Sequence, residues 1–503
     1  MSDQSSAARP GAAAIRCDVC IVGAGIAGMN ALFVASRYLS QDQKIVLVDS
    51  RPRVGGMWVD TYPYVRLHQP HPMFTAGNIE WTLGKDRAYL ATKNEVLDHF
   101  THCLDVIRQR VRVDELFGTT MESATEADGV VRVSCRSADG TTTVVEATRL
   151  IKAYGAGVTP NEPLAVSSRR VESVSPNYCD VRSGDIRHSN APVWIVGGGK
   201  TAMDTAHALI TRCPGREVNL IAGRGTFFAR RDLLFPAGNT KWWRGTQFAS
   251  MAERSGRRFD GTNEVQVQKW FRQTYCTHPT QEAENYFAGL LSKAENTTIA
   301  EGLRHIVMDY FVDAVDRDGV TELVFRSGST RTIEPGSWLV NCTGYLGGDQ
   351  ELPYEPYISA RGAVAAIHPR SWILHLPAFN GYFLAHLLFL DKLKELPLYE
   401  VDVLDLRRKC PTAHPYTLIA LAQHNLSLIY DNVPRKVFGE NGLDFDAWYP
   451  MPRRLPGLLK FMLNHRRDRE RARRTLDVIR ERLDIRCGPL NSGAGVGLEP
   501  VEK

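Results

Sequence analysis

Two glycine-rich loops are the features of this 503-residue chain whose residue types and spacing most clearly indicate chemistry. Each loop directly follows a short apolar run, and their defining residues are Gly23, Gly25 and Gly28 in the first and Gly197, Gly199 and Ala202 in the second. In such a loop the first glycine permits a tight turn, the second lets the backbone approach a pyrophosphate, and the third position lets a helix pack closely on a strand. The free N–H groups and the dipole of the following helix favour an anion. Two such loops predict sites for two different nucleotides.

Polar residues after each loop indicate which nucleotide it would hold. Asp49 follows Gly28 by 21 residues, near the spacing at which a carboxylate meets ribose hydroxyls. The strand predicted after the second loop runs into Arg224, where NAD-selective folds usually carry an acid, and a guanidinium there suits a 2′-phosphate. The second loop is therefore predicted to bind NADPH rather than NADH. Further candidates for phosphate contact are Lys200, Thr201 and Arg231. Arg231 has a second interpretation, a solvated surface pair with Arg230.

The elements that must position these loops predict an α/β fold. Both loops stand in the order strand, loop, helix, strand, which is typical of a doubly wound, Rossmann-like unit. We expect two such units, the second inserted into the first. The predicted divisions are a disordered leader over residues 1–16, a first nucleotide-binding domain over 17–160 and 335–503, and a second over 161–334.

Composition and cysteine usage exclude several classes. The chain is 43% hydrophobic and 23% charged, as in a water-soluble globular protein, and has no apolar run of about 18 residues, so no membrane-spanning segment is expected. Cys17 and Cys20 lie on a predicted strand, where residues three apart point to opposite faces, so they do not predict a metal or dithiol site. No cysteine lies between Cys20 and Cys103, which disfavours a flavin disulfide reductase, because such an enzyme needs a cysteine pair beside its flavin. A reducing, cytoplasmic setting fits the scattered cysteines.

The net charge of +5 is concentrated near the C-terminus. Residues 452–487 contain 12 Arg or Lys against 5 Asp or Glu, a local +7. Within this basic segment, apolar residues at helical spacing predict an amphipathic helix docked on the body: Ala472, Leu476, Ile479 and Leu483. A role at a membrane surface or with an anionic partner is the alternative. Nucleic acid is not an expected partner, because no aromatic or helix-turn-helix signature accompanies the charge.

A second glycine turn after Asp49 carries a resemblance to a known family. The residues that carry it are Arg51, Gly55, Gly56, Met57 and Trp58, followed by Tyr62, Pro63 and Arg66, and much later by Thr343 and Gly344. In this order they resemble the class B flavin-dependent monooxygenases, which comprise flavin-containing monooxygenases, Baeyer–Villiger enzymes and N-hydroxylases. The resemblance covers roughly residues 17–347. It implies FAD on the first loop, NADPH on the second, and an inserted NADPH domain. The further residues expected to contact the cofactors are Ser50, Arg51, Gly56, Met57, Trp58, Thr343 and Gly344.

The same resemblance implies which residues pass close to the flavin and could act in catalysis. They are Tyr62, Arg66, His68 and Asn78. Two family features are absent, however. Of the motif that precedes the second nucleotide loop in the family, residues 168–178 retain only Tyr178, and the residues after Pro63 lack the glycine and aspartate of Baeyer–Villiger enzymes. Hydroxylation is therefore favoured over ketone-to-ester oxidation.

The implied reaction begins with hydride transfer from NADPH to FAD. Reduced flavin then captures O₂ as a C4a-(hydro)peroxide and transfers one oxygen atom to a small or medium organic substrate. A homodimer is plausible for such a chain. One alternative is an NADPH-dependent flavin oxidase or dehydrogenase without oxygen insertion, which the missing motif favours. A second alternative is a flavin-binding regulatory or partner-binding protein, which the basic C-terminal segment suggests.

Overall fold

The strands and helices of the protein, in a computed structural model, lie within residues 14–155, 160–280, 282–286, 288–344 and 352–490, which are the residues that the structure describes. The strands are β1 (Ile15–Val22), β2 (Lys44–Asp49), β3 (Arg112–Phe117), β4 (Thr119–Ala127), β5 (Val130–Ser137), β6 (Thr142–Lys152), β7 (Glu172–Val174), β8 (Val193–Val196), β9 (Val218–Ile221), β10 (Phe228–Arg230), β11 (Cys276–Thr277), β12 (Leu290–Leu291), β13 (His305–Val307), β14 (Phe311–Arg317), β15 (Val320–Phe325), β16 (Thr330–Ile333), β17 (Trp338–Asn341), β18 (Val364–Ala366), β19 (Tyr399–Val401) and β20 (Cys487–Pro489). The α-helices are α1 (Ile26–Tyr38), α2 (Lys93–Arg108), α3 (Asp185–His188), α4 (Lys200–Arg212), α5 (Arg231–Leu234), α6 (Phe248–Arg258), α7 (Glu264–Tyr275), α8 (Lys293–Gly302), α9 (Pro377–Phe389), α10 (Val403–Lys409), α11 (His414–Asn432), α12 (Lys436–Gly439) and α13 (Met451–Leu483).

The first sheet carries the first glycine loop. Its strand order is β3-β2-β1-β6-β5-β4, and β18 pairs with the end of β6. The pairs that involve β1, β2, β3 and β18 are parallel, whereas β4, β5 and β6 form an antiparallel meander. The last four residues of β1 are buried, as expected for a parallel strand covered on both faces, whereas β5 alternates exposed and buried residues. This arrangement places the loop after β1 near the middle of the sheet.

The second sheet carries the second glycine loop. Its order is β13-β9-β8-β17-β7, and every pair in it is parallel. All of these strands lie between β6 and β18 in the chain, and both of those belong to the first sheet. The predicted fold class is therefore confirmed: two doubly wound α/β units, the second inserted into the first.

The boundaries of the units differ from the predicted ones at two places. β17 pairs with β7 and β8, so residues 338–341 belong to the second sheet, and the chain rejoins the first sheet only at β18. Ile15 and Arg16 already form part of β1, so the predicted leader is too long by at least these two residues. Residues 1–13 of that leader lie outside the described residues.

A third core, distinct from the cores beside the two sheets, joins the inserted segment to the C-terminal helices. It contains Phe259 and Phe271 from the inserted segment and Tyr416 and Leu476 from α11 and α13. Ala472 and Ile479 on α13 are also buried there, so the C-terminal half of this helix docks on the body. Among the described residues no helix has the length and apolar character needed to cross a bilayer.

Candidate functional site

The first glycine loop has a backbone that only glycine allows. Gly23 has a φ of +104°, and its N–H donates to the carbonyl of Val48 at 2.7 Å. A Cβ on Gly23 would overlap the carbonyl oxygen of Ala153, and a Cβ on Gly28 would overlap the carbonyl oxygen of Gly23. The loop is therefore wedged between the ends of β2 and β6, and α1 begins in direct contact with it.

The second glycine turn completes a cradle with this loop. The N–H of Gly55 donates to the carbonyl of Ala24 at 2.9 Å, and a Cβ on Gly56 would lie only 2.7 Å from the Cα of Gly25. The two turns thus touch backbone to backbone. Because neither glycine carries a side chain there, a ligand can approach the main chain of both turns closely.

Asp49 is built into the cradle. Its side chain is 5% exposed and accepts hydrogen bonds from the N–H of Ala24 at 2.6 Å and the N–H of Arg51 at 2.8 Å. A carboxylate has about four acceptor positions, so two remain for ligand hydroxyls. α1 begins at Gly25 with no side-chain cap and no acidic residue in its first turn, which leaves its N–H groups for an anion. The buried carboxylate therefore suits the hydroxyls of a ribose, and the uncapped start of α1 suits a pyrophosphate.

The second glycine loop repeats this geometry. Gly197 has a φ of +126°, its N–H donates to the carbonyl of Ile221 at 2.9 Å, and a Cβ on it would overlap the carbonyl oxygen of Cys342. Gly197 therefore approaches the carbonyl group of Cys342 as closely as Gly23 approaches the carbonyl group of Ala153. The strand ends that precede Thr343-Gly344 and Tyr154-Gly155 occupy equivalent places beside the two loops.

The front of the second loop is open. No heavy atom lies within 4 Å of the Cβ position of Gly199, and α4 begins there without a side-chain cap. Thr201 is half-buried in the first turn of α4. Ala202 is fully buried, so its methyl group packs into the core where the first loop requires Gly28. The backbone N–H groups of this turn are free to bind a second anion.

Arg224 lies just beyond β9 in an aromatic and basic cluster. Its Nε donates to the hydroxyl of Tyr310 at 3.2 Å, and the guanidinium of Arg326 lies 4.1 Å from the centre of the Tyr310 ring. The Arg224 side chain is 53% exposed, and its ion pair with the exposed Glu284 is 3.7 Å long. Such an exposed pair contributes little, so a phosphate could replace Glu284. Tyr310 and Arg326 come from distant residues without a motif, and the sequence did not indicate them.

Arg231 has a different role from both predicted ones. Its guanidinium forms an ion pair with Glu295 and donates to the carbonyl of His68 at 3.4 Å, and its side chain is only 13% exposed. It is therefore neither free for a 2′-phosphate nor part of a solvated pair. The reason is that α8 brings Glu295 against the start of α5, which turns the guanidinium inward. Arg230 is also engaged, with the carbonyl of Thr274 at 3.2 Å.

Two tyrosines join the first unit to the second glycine loop. The Tyr62 hydroxyl donates to Asp204 on α4 at 2.7 Å, and the Tyr64 hydroxyl lies 2.7 Å from that of Thr205. Asp204 also forms an ion pair with Lys200 one turn earlier on α4. We call Tyr62, Tyr64, Lys200, Asp204 and Thr205 the inter-unit joint. It fixes the segment that follows the cradle against the helix that begins at the second loop.

His68 lies beside the inter-unit joint. Its Nδ1 accepts a hydrogen bond from the N–H of Leu290 at 3.2 Å. Burial and then the charges of Lys200 and Arg231 lower the pKa of His68 to about 3. The imidazole is therefore neutral at physiological pH, with its proton assigned to Nε2, and it can donate a hydrogen bond but cannot supply a charge there.

The other predicted catalytic residues lie elsewhere. Arg66 is exposed, donates to the carbonyl of Leu90 at 3.0 Å, and stacks over the ring of Tyr89 at 5.7 Å. Asn78 is exposed on the loop after Gly77. The structure thus brings Tyr62 and His68 to the joint between the units, and it does not bring Arg66 or Asn78 to it.

The remaining predicted cofactor residues surround the cradle. Ser50 is exposed directly after β2, and Met57 is 40% exposed in a short 3₁₀ helix that follows Gly56. Trp58 packs edge-on against Phe74, with ring centres 5.8 Å apart. Arg51 donates to Asp60 at 2.6 Å, which fixes the far side of this turn. Thr343 holds Asn341 through its hydroxyl at 2.6 Å, and Gly344 has open space at its Cβ position.

Comparison with known proteins agrees with the two-loop arrangement. Residues 17–233 match the family model described as pyridine nucleotide-disulphide oxidoreductase, and this range contains both glycine loops. The match thus supports the resemblance inferred from the motifs over the part of the chain that carries both loops. Uncharacterized proteins of Mycobacterium tuberculosis and Mycobacterium bovis are 28% identical over 239 residues, which are 44% of this chain and 41% of theirs. The chain therefore spans less than half the length of the curated relatives it matches.

Solved structures that match this chain include two oxygenases and a reductase by their descriptions. A cyclohexanone monooxygenase mutant from Rhodococcus sp. Phi1 bound to NADP⁺ is 14% identical, with a TM-score of 0.47 over 77% of this chain and 88% of that one. The ornithine N-hydroxylase of Kutzneria sp. 744 is 14% identical, with a TM-score of 0.46 over 76% and 99%. The bacillithiol disulfide reductase of Staphylococcus aureus is 12% identical, with a TM-score of 0.43 over 76% and 99%.

Proposed function

We propose that this protein is a flavin- and NADPH-dependent oxidoreductase of the class B monooxygenase type, which inserts one oxygen atom from O₂ into a small or medium organic molecule. The observation that carries the proposal is the pair of equivalent glycine cradles tied together by the inter-unit joint. One cradle has a buried carboxylate for a ribose, and the other has an exposed arginine for a 2′-phosphate. A joint of fixed geometry between them suits hydride transfer from one nucleotide to the other.

The first cradle is the proposed FAD site. Asp49 would accept the ribose hydroxyls, and the N–H groups at the start of α1 would bind the pyrophosphate between the Gly23 loop and the Gly56 turn. Bound there, FAD supplies the redox chemistry and the reaction with O₂. Met57 and Trp58 follow the cradle directly and would form the wall of the site on the side of the 3₁₀ helix.

The second cradle is the proposed NADPH site. Gly199 and Thr201, at the start of α4, would bind the pyrophosphate, and Arg224 would bind the 2′-phosphate with Tyr310 beside it. Lys200 serves this site indirectly, since its ammonium group is paired with Asp204. Neutral His68 would donate a hydrogen bond near the joint without adding positive charge. A homodimer and a cytoplasmic setting remain predictions of the sequence.

An oxidase or dehydrogenase without oxygen insertion is the second candidate. It is favoured by the segment before the second loop, where only Tyr178 matches the family motif. That tyrosine is 61% exposed and donates to Glu162 at 2.7 Å, so its hydrogen bond among the described residues lies within the inserted unit. Disulfide reduction is less favoured, because no cysteine lies between Cys20 and Cys103, the segment that contains the second glycine turn of the first cradle. Cys342 adjoins the second loop, but burial raises the pKa of its thiol to about 12.

The decisive experiment mixes the flavin-loaded protein with NADPH without oxygen and then with air-saturated buffer. Bleaching of the flavin spectrum by NADPH, followed on aeration by a transient spectrum unlike the oxidised and reduced forms, would support the monooxygenase. Immediate reoxidation with one hydrogen peroxide released per NADPH would support the oxidase instead. A protein that does not bind flavin, or whose flavin NADPH does not reduce, would contradict both proposals.

The proposed NADPH site makes a prediction about cofactor selectivity. An Arg224→Ala variant should bind NADPH about 10- to 100-fold more weakly, because a charge-assisted hydrogen bond contributes roughly 1.5–3 kcal/mol. Its affinity for NADH, which has no 2′-phosphate, should change little. Flavin reduction rates at varied NADPH and NADH concentrations measure both effects. Arg317→Ala, which removes another exposed arginine of the inserted unit, is the matched control and should leave both affinities unchanged.

A further inference from the structure

The N-terminal half of α13 exposes an unusual number of large apolar side chains. They are Met451, Leu455, Leu458, Leu459, Phe461, Met462 and Leu463. Leu463 is 83% exposed, whereas Leu476 and Ile479, farther along the same helix, are fully buried. The docking of the C-terminal half therefore does not explain the apolar residues that precede it.

Most of these side chains share one face. Met451, Leu455, Leu458, Leu459 and Met462 stand at positions i, i+4, i+7, i+8 and i+11, which fall on one side of a helix. Leu463, one turn after Leu459, borders this open face and is counted with it. Phe461 lies on another side, where its ring contacts Tyr430 at 5.1 Å and stacks on His465. The helix is thus held to the body along one side while its apolar face stays open.

Two exposed tryptophans lie at the start of the same helix. Trp242 is 47% and Trp243 67% exposed, in a short turn between α5 and α6. The guanidinium of Arg453 fastens this turn to α13 by donating to the carbonyls of Lys241 at 3.0 Å, of Gly245 at 3.2 Å, and of Arg244. We call Trp242, Trp243 and the open face of α13 the apolar edge. Rings with an apolar body and a polar N–H suit the boundary between water and lipid.

All the charged side chains on the N-terminal half of α13 are basic. Residues 451–467 include five Arg or Lys and no Asp or Glu. Three of these cations are neutralised from other elements, since Lys460 pairs with Glu253 at 2.7 Å, Arg454 with Asp444 at 2.7 Å and Arg466 with Asp431 at 3.2 Å. Arg244, in the tryptophan turn, is exposed and has no carboxylate within ion-pair distance among the described residues. The Arg467 side chain is 68% exposed, and its nearest ion-pair contact is 3.9 Å away.

We propose that the apolar edge binds the surface of a bilayer that contains anionic phospholipids, with the N-terminal half of α13 lying in the interface and not crossing the membrane. An amphipathic helix with basic flanks and adjacent tryptophans has the composition of such interfacial segments. An apolar surface of this extent is uncommon on a monomeric protein that stays in water. The positive charge favours an anionic lipid surface over a second copy of this chain, because two copies would bring like charges together. The proposal is independent of the reaction catalysed.

The test is flotation of the full-length protein with vesicles of phosphatidylcholine alone and of phosphatidylcholine with about one-third phosphatidylglycerol. The protein should float with the anionic vesicles, more strongly at low salt. Leu459→Glu combined with Leu463→Glu should reduce the bound fraction at least ~10-fold, because two charges replace apolar groups at the interface. Val312→Glu is the matched control, since Val312 is 56% exposed on β14 in the inserted unit, and it should bind as the wild type does.

A second readout does not depend on the folding of the charged variant. Brominated lipids in the anionic vesicles should quench tryptophan fluorescence of the wild type, and Trp242→Phe with Trp243→Phe should remove that quenching. Failure of the wild type to float, or equal flotation of the Leu459→Glu/Leu463→Glu variant, would overturn the proposal. A wild-type dimer that this variant dissociates, without vesicle binding by either protein, would assign the apolar edge to a second copy instead.

Discussion

A Gly199→Ala variant is expected to fold normally, retain its flavin and bind NADPH about 100-fold more weakly. The added methyl group meets no heavy atom within 4 Å and the backbone of Gly199 does not require glycine, so the protein itself has no reason to rearrange. The methyl group would instead occupy the space through which a pyrophosphate reaches the N–H groups of α4. Each lost hydrogen bond to a charged group costs roughly 1.5–3 kcal/mol, and one or two of them account for the expected change in affinity.

The measurement is calorimetric titration with NADPH, together with flavin content and a thermal melt. Gly439→Ala is the matched control, since its Cβ position is also open, it has no positive φ, and it lies on α12. Gly197→Ala should behave differently, because its φ of +126° and the overlap with Cys342 would destabilise the second sheet itself. Unchanged NADPH affinity in Gly199→Ala would place the pyrophosphate elsewhere and contradict the proposed site.

The free energy of unfolding is expected to fall steeply as the pH drops from 6.5 towards 4. Burial lowers the pKa of six histidines from 6.5 to about 3 or 4, namely His68, His99, His375, His386, His414 and His424. In this range the unfolded chain binds protons that the folded chain does not, so stability is present above pH 6.5 and is lost as the pH falls. Two buried carboxyls oppose the trend: burial raises the pKa of Glu400 to about 7 and of Asp446 to about 6. Because the six histidines outnumber the two carboxyls, the free energy of unfolding should fall on balance as the pH drops.

His386 is the most informative of these histidines. It is 3% exposed, its Nδ1 is hydrogen-bonded to the Tyr38 hydroxyl at 2.8 Å, and its Nε2 is buried without a hydrogen-bond partner among the described residues. At pH 5, His386 should by itself lower the free energy of unfolding by about 2 kcal/mol, because each pKa unit corresponds to 1.36 kcal/mol. Urea unfolding at a series of pH values measures this, and His386→Gln should lower the slope by about one proton. His188→Gln, at the exposed end of α3, is the control and should leave that slope unchanged. A free energy of unfolding that stays constant between pH 7 and 5 would contradict the prediction.

The parts of the site that the sequence predicts are those encoded locally. Gly23 and Gly197 are recognisable because a positive φ and a close approach to the neighbouring strand leave no other residue type. Asp49 is placed by a short spacing from Gly28. Two nearby units of this kind also determine the fold class, because each must build its own parallel sheet.

The parts that the sequence does not predict depend on distant partners. Arg231 looks free in the sequence, but Glu295, 64 residues later, holds it inward. Tyr310, 86 residues after Arg224, stands beside it without any motif. The sequence predicts that the chain returns to the first unit near Trp338, yet a short strand with three apolar residues suits either sheet, and pairing with β7 and β8 decides in favour of the second. In each case the deciding partner is separated from the residue by a long stretch of chain.

The third core has a consequence for how the molecule holds together. An inserted unit is often an independently melting module, joined to its host by two crossings. Here Phe259 and Phe271 of the insert share an interior with Tyr416 and Leu476 of the C-terminal helices, so neither unit can open without exposing part of that interior to water. The insertion is therefore interlocked with its host, and unfolding of the two units is thermodynamically coupled into one cooperative event.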